Sequence, residues 1–379
     1  MVSKQRLFDD ELLNKSKEER EKFFNDYTVS HPKMKQVLIE LKNEIYKGSH
    51  NIIMVVGPSG VGKSRLFNAT INSVIKDMKQ ELEENKSIIP ITGIELPNPD
   101  LGKFNWKDFY YRVLTSVNEP LIDYKIDLSV VNKMPNSPLR TTRTASTAAA
   151  LRRSIESAFF YRETKALLID EAQHFFKINS DYRGNSEKNQ KQFNSIKSLA
   201  NMSHTKIVLF GTYDLNAVFN LDGQLSRRVK EIHFPRYDFA NDKDIKNFKS
   251  ILLTFQKLLP LPREANLMEH FVYLYENCIG CTGILKNWLQ RCLSDALENN
   301  EDTITYTNLK RNALLTKKLL TLANEALDGE LIFKESKGDK EKLKELLGTK
   351  KDVRTDKKEQ KNNLNPGKRK PTRDDVGLI

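Results

Sequence analysis

The stretch NIIMVVGPSGVGKSRLF, residues 51–67, leaves the chain few folds to choose from. Ile52 to Val56 is a short apolar, β-branched run stopped by a glycine, the pattern of a buried strand. Gly57, Pro58, Ser59, Gly60, Val61, Gly62, Lys63 and Ser64 then fit G-x-x-x-x-G-K-[ST]. Leu66, Phe67, Thr70, Ile71 and Val74 follow at helical spacing. A strand that turns through glycines into a helix N-terminus is the setting of a phosphate-binding loop. Glycines let the backbone curl without a Cβ clash. The freed N–H groups and the positive helix end then face phosphate oxygens. The loop and Arg65 are therefore expected to hold ATP. Lys63 is expected to reach the β- and γ-phosphates, and the Ser64 hydroxyl to ligate Mg²⁺.

Ala166 to Ile169 is a second apolar strand, and it ends in Asp170 and Glu171. Asp170 is placed to hold Mg²⁺, directly or through water, and Glu171 to act as general base on the attacking water. Ile207 to Phe210 is a third, followed by Gly211 and Thr212. Thr212 is a candidate either to contact the γ-phosphate or to orient the water, with a plain capping role as the alternative. Gln224-Leu225-Ser226-Arg227-Arg228 sets two arginines after a glycine-containing loop. Either Arg227 or Arg228 is a candidate to stabilise transition-state charge at a neighbouring subunit's ATP.

Strand and helix patterns alternate from 51 to about 235, the mark of a parallel α/β sheet. Ile88 to Leu96 is a further strand candidate weakened by Pro90, and Glu231 to Phe234 a last short one. Strand signals then fade. Helical spacing runs through Phe248 to Leu259, Leu267 to Tyr275 and Ile284 to Leu297, and Thr305 to Ala326 reads as one more helix. The expected organisation is an N-terminal helical segment (1–50), an α/β core (51–235), a small helical lid (236–333) and a basic, disordered tail (334–379).

Composition narrows the setting. No segment approaches the roughly 18 apolar residues of a membrane span. The opening MVSKQRLFDDELLNKSKEER is charged and lacks the apolar stretch of a signal peptide. Three cysteines are too few for a disulfide framework, so a cytoplasmic location is expected. Cys278 and Cys281 have C-x-x-C spacing, but with Cys292 they sit in apolar helical patterns and read as small buried thiols. The net charge of +12 suggests a polyanionic partner. Residues 334–379 carry 15 Lys/Arg against 9 Asp/Glu, a net of +6, so half the excess lies in the tail.

The order of phosphate loop, Asp-Glu strand, hydroxyl-ended strand, paired arginines and helical domain resembles an AAA+ ATPase. That family places a further cation in the helical domain. The turn Gly280-Cys281-Thr282-Gly283-Ile284-Leu285-Lys286 is the matching place, with Lys286 or Arg291 as candidates. The string Asp170-Glu171-Ala172-Gln173-His174 is similar to the TnsC/TniB family of transposition ATPases, which serve Tn-type, including CRISPR-associated, transposons. Ser198-Leu199-Ala200-Asn201, Ile207 to Tyr213, Leu151 to Ala158 and the His31-Pro32 entry share that similarity, which spans roughly residues 30–300.

The resemblance implies a regulator that oligomerises with ATP on double-stranded DNA as a ring or helical filament. It links a target-selector protein to transposase subunits and is reset by hydrolysis. DNA contact of this kind runs through phosphates and needs Lys, Arg, Ser and Thr. Lys133, Arg140, Thr141, Thr142, Arg143 and Thr147 in the 132–150 segment, and Lys103 near Trp106, are the candidates. Lys368, Arg369, Lys370 and Arg373 in the tail are candidates for a transposition partner. Two other readings stay open: an AAA+ helicase loader or replication initiator, and an ATP-switched signalling module that does not use DNA.

Overall fold

The computed structural model describes residues 6–99, 104–125, 147–176, 185–219, 228–334 and 336–349. Five short strands lie among the described residues: Ile52–Val56 (β1), Ile91–Glu95 (β2), Ala166–Asp170 (β3), Lys206–Gly211 (β4) and Val229–His233 (β5). They form one parallel sheet in the order β2-β3-β4-β1-β5. The helices before β5 are Lys17–Asp26 (α1), Pro32–Lys47 (α2), Lys63–Asp77 (α3), Lys79–Glu84 (α4), Trp106–Ser116 (α5), Ala148–Tyr161 (α6), Asn185–Ser203 (α7) and Asp214–Phe219 (α8).

The period-two alternation of the central strands β1, β3 and β4 sorts their side chains onto two buried faces. Ile52, Met54 and Val56 pack with Leu167, Ile169, Ile207 and Leu209 under α5, α6 and α7. Ile53 and Val55 pack with Leu168, Val208 and Phe210 under α2 and α3. Burial on both faces is why these strands read as unbroken apolar runs. The parallel register brings Val56, Gly211 and His233 to one edge, and Glu95 and Asp170 likewise pair at the ends of their strands.

After β5 come Asp242–Leu258 (α9), Phe271–Cys278 (α10), Thr282–Glu298 (α11), Tyr306–Arg311 (α12) and Thr316–Ile332 (α13). Phe248, Leu252, Leu285, Leu289 and Trp288 make a separate core, which includes Cys278, Cys281 and Cys292. Phe24 of α1 belongs to this core too, whereas α2 packs on the sheet. Helices α1 and α2 are thus divided between the two cores. No helix among the described residues is long and apolar enough to cross a membrane.

The single helix expected over Thr305 to Ala326 is two. Asn312 bonds Asp295 Oδ2 at 3.0 Å and folds back to the Asn308 carbonyl, also at 3.0 Å. These tertiary bonds end α12, and Leu315 is extended before α13 begins. In the second unit, residues 334–379, Lys337–Leu346 is helical (α14), against the expectation of a structureless tail. Ser336 caps it through the Asp339 N–H at 2.9 Å, and its Lys, Glu and Leu are strong helix formers. Residues 350–379 lie outside the described residues.

His31 joins the two cores. Its Nδ1 accepts from the Met34 N–H at 3.3 Å and meets the Tyr237 hydroxyl at 2.9 Å. Nε2, which carries the proton of the neutral ring, lies 3.4 Å from Thr282 Oγ1, and Thr282 donates to the Val61 carbonyl at 3.0 Å. Burial pushes the His31 pKa down from 6.5 to about 4, helped by the Lys33 charge. His233 is pushed to about 4 for the same two reasons.

The unfolded chain takes up these protons near pH 6.5, and the folded chain not until about pH 4. Between those values the unfolded state binds more protons, so stability falls as pH falls. The unfolding midpoint should drop between pH 6.5 and 4, and His31→Asn, which keeps an acceptor for the Met34 N–H, should show a shallower drop in a calorimetric pH series.

Gly329 of α13 lies against Tyr213, and a Cβ there would sit 2.0 Å from a ring carbon. Gly329→Ala should therefore lower stability by about 1–3 kcal/mol, the usual range for overpacking, readable from denaturant midpoints.

Candidate nucleotide site

Gly60 and Gly62 hold φ of +76° and +113° in the loop between β1 and α3, a conformation that β-carbon-bearing residues avoid. At Gly60 the loop also leaves no room for a side chain. A Cβ on Gly60 would fall 2.5 Å from Ile284 Cγ1, and one on Gly283 would fall 2.5 Å from the Gly60 carbonyl oxygen. The Ile284 N–H donates to that carbonyl at 3.2 Å. No side chain caps α3, so its N-terminal N–H groups stay available to an anion.

Lys63 is buried and donates to the Gly57 and Pro58 carbonyls, each at 3.0 Å. Burial pulls its pKa down, and the Glu171 and Asp170 charges oppose that pull. Asp170 is raised by burial and held back by a hydrogen bond from the Ser64 hydroxyl. The Ser64–Asp170 contact forms even though β4 lies between β1 and β3. A hydroxyl and a carboxylate are the hard oxygen donors that Mg²⁺ prefers, so the residues present fit that ion.

Glu171 turns the chain in the left-handed region, φ +54°, and its carboxylate accepts from Gln173 Nε2. Thr212 donates to Asp214 Oδ2 at 3.3 Å, which fits a turn-capping hydroxyl at the same sheet edge.

The other side of the loop opens into a cleft lined by Thr28, Val29, Met34, Arg65, Thr282 and Lys286. Lys286, rather than Arg291, lines it. Lys286 Nζ donates to the Asn25 and Tyr27 carbonyls, each at 2.6 Å, and Arg65 reaches the Asn25 carbonyl at 2.8 Å. Burial lowers the Lys286 pKa to about 8, with Arg65 adding to the effect. Arg291 instead donates to the Asn312 carbonyl at 3.1 Å.

Arg228 is exposed and immediately precedes β5, whose first residue pairs with Ile52. It therefore sits at the opposite edge of the sheet from Lys63, a strand length of roughly 13 Å away. Thr147 caps α6 through the Ala150 N–H at 3.1 Å. Arg227, Lys103, Lys133, Arg140, Thr141, Thr142 and Arg143 lie outside the described residues.

Helix α13 brings groups that no sequence motif announced. Its Glu325 adds to the field on Lys63 and lies near Asp214. Glu330 forms a buried ion pair with Arg236 at 3.3 Å. Phe333, just beyond the helix, stacks on His233 with centroids 4.2 Å apart, and His233 Nε2 meets the Tyr213 hydroxyl at 2.8 Å.

A family model described as "AAA domain" matches residues 46–219. No curated protein matches the chain. Among solved structures, a Walker-type ATPase of Pyrococcus abyssi is 17% identical with a TM-score of 0.45, covering 86% of this chain and 81% of its own. The ORC2 protein of Aeropyrum pernix is 12% identical with a TM-score of 0.48, covering 79% of this chain and 73% of its own. Domain III of the replication initiation protein DnaA of Thermotoga maritima is 14% identical with a TM-score of 0.40, covering 80% of this chain and 95% of its own. The five-stranded parallel sheet, the glycine loop at the carboxyl edge and the helical lobe closing over it make this an AAA+ P-loop ATPase fold.

Proposed function

We propose that the protein is an ATPase that regulates DNA transposition, assembling on duplex DNA with ATP and releasing it after hydrolysis. The observation that carries the ATPase reading is the meeting of Lys63, Ser64, Asp170 and Glu171 at one sheet edge. Lys63 and the N–H groups at the start of α3 bind the β- and γ-phosphates. Ser64 and Asp170 would hold Mg²⁺, which supplies charge neutralisation across the phosphate oxygens. Glu171 accepts a proton from the attacking water at its carboxylate.

The placement of Arg228 supports a site completed between subunits. An arginine at the far sheet edge does not reach its own chain's phosphates but is free to meet those of a neighbour. Arg227 shares that candidacy. The transposition reading rests on the Asp170 to His174 string and its companion motifs, with the +12 charge supporting a DNA partner. A target-selector protein and transposase subunits are the partners this reading requires, in the cytoplasm.

Lys63→Ala should lose nucleotide-dependent assembly. Glu171→Gln should keep ATP and slow turnover by on the order of 10²- to 10⁴-fold, prolonging the DNA-bound state. Phosphate-release assays and electron microscopy with duplex DNA and a non-hydrolysable ATP analogue check both. Rings or filaments on DNA that need nucleotide are the expected result. Absence of DNA binding in every nucleotide state at modest salt would move the function to an ATP-switched signalling module. Capture of a replicative helicase without any response to transposase would move it to a helicase loader.

A further inference from the structure

Gln173 lies in the 3-10 turn Ala172–Phe175, directly after Glu171, and is only 7% exposed. Its Nε2 donates to Glu171 Oε2. An ionised carboxylate only accepts, so this contact fixes which end of the amide is nitrogen. The carbonyl end must then point the other way. It lies against the end of β4, where a Cβ on Gly211 would come 2.7 Å from Oε1. Oε1 is buried and has no donor among the described residues.

A buried carbonyl left unpaired costs stability. A methionine of similar volume would fill the same space without that cost. Space-filling therefore does not account for a glutamine here. What the amide supplies, and methionine does not, is the N–H on Glu171. That carboxylate is also the strongest charge opposing the burial of Lys63. Its backbone is held at φ +54°, so a short lever controls where its oxygens lie.

Resting on the reading of Glu171 as general base, we propose that Gln173 is a positioning residue for hydrolysis. Its N–H pins the Glu171 carboxylate toward the phosphate side. Its carbonyl end is braced at Gly211, one residue before Thr212, so the ends of β3 and β4 are held in register across the gap the water must enter. Gln173 acts through Glu171 and does not itself take the proton.

The test uses the full-length protein on duplex DNA with ATP. Affinity is read with a fluorescent ATP analogue and turnover by phosphate release. Gln173→Met should lower kcat by on the order of 10- to 100-fold while changing nucleotide affinity by less than about 3-fold. Gln173→Asn, one methylene short, should not restore the rate. In a Glu171→Gln background, adding Gln173→Met should change the residual rate by less than about 2-fold, because both changes remove one function. An unchanged kcat in Gln173→Met, or a second full loss multiplying onto Glu171→Gln, overturns the proposal. If Glu171→Gln alone keeps normal turnover, the base assignment falls instead, which separates that failure from this one. Should Gln173→Met not fold, Gly211→Ala presses from β4 on Leu215 and on the Gln173 carbonyl end, and unaltered kcat there also counts against the proposal.

Discussion

The hydrogen bond from the Ile284 N–H to the Gly60 carbonyl fastens the phosphate loop to the helical lobe. Thr282 makes a second tie to the next carbonyl, Val61. Both ties demand close backbone approach, which is why glycine stands at 60 and 283. Through them the loop is the joint between two separately cored lobes.

Lys63 and Asp170 are both buried beside the loop, and burial disfavours the charged form of each. Each is held back by what the sheet edge provides: two carboxylates for the lysine and the Ser64 hydroxyl for the aspartate. A buried ammonium surrounded by carboxylates is an arrangement suited to a polyanion and a divalent cation arriving together. The Gln173–Glu171 contact belongs to this balance, since it decides how the second carboxylate is turned.

Helix α13 extends the coupling to the end of the first unit. Gly329 on Tyr213, Phe333 on His233 and Glu330 on Arg236 clamp the last residues of the first unit to the ends of β4 and β5 and to the link beyond them. The residues next to Thr212 are thus tied to the last helix before the basic tail. Hydrophobic and ionic contacts of this kind are made or lost as a set, because a helix docks as a rigid body.

The glycine loop, the strand ending in Asp170 and the sheet were legible in the sequence. Gly57 to Ser64 demand one backbone path, and the strands' unbroken apolar runs demand burial on both faces. These are local constraints, written in glycine positions and in a period of two. Long-range packing, in contrast, lodges α1 in the helical core, separates α12 from α13 and turns Lys286 to the Asn25 and Tyr27 carbonyls. It also decided the His31 joint and the reach of Glu325 toward Lys63. The partners in these contacts stand far apart in the chain: 251 residues for His31 and Thr282, 261 for Lys286 and Asn25. No local period encodes such a meeting; it exists only after the two cores have formed and brought the segments together.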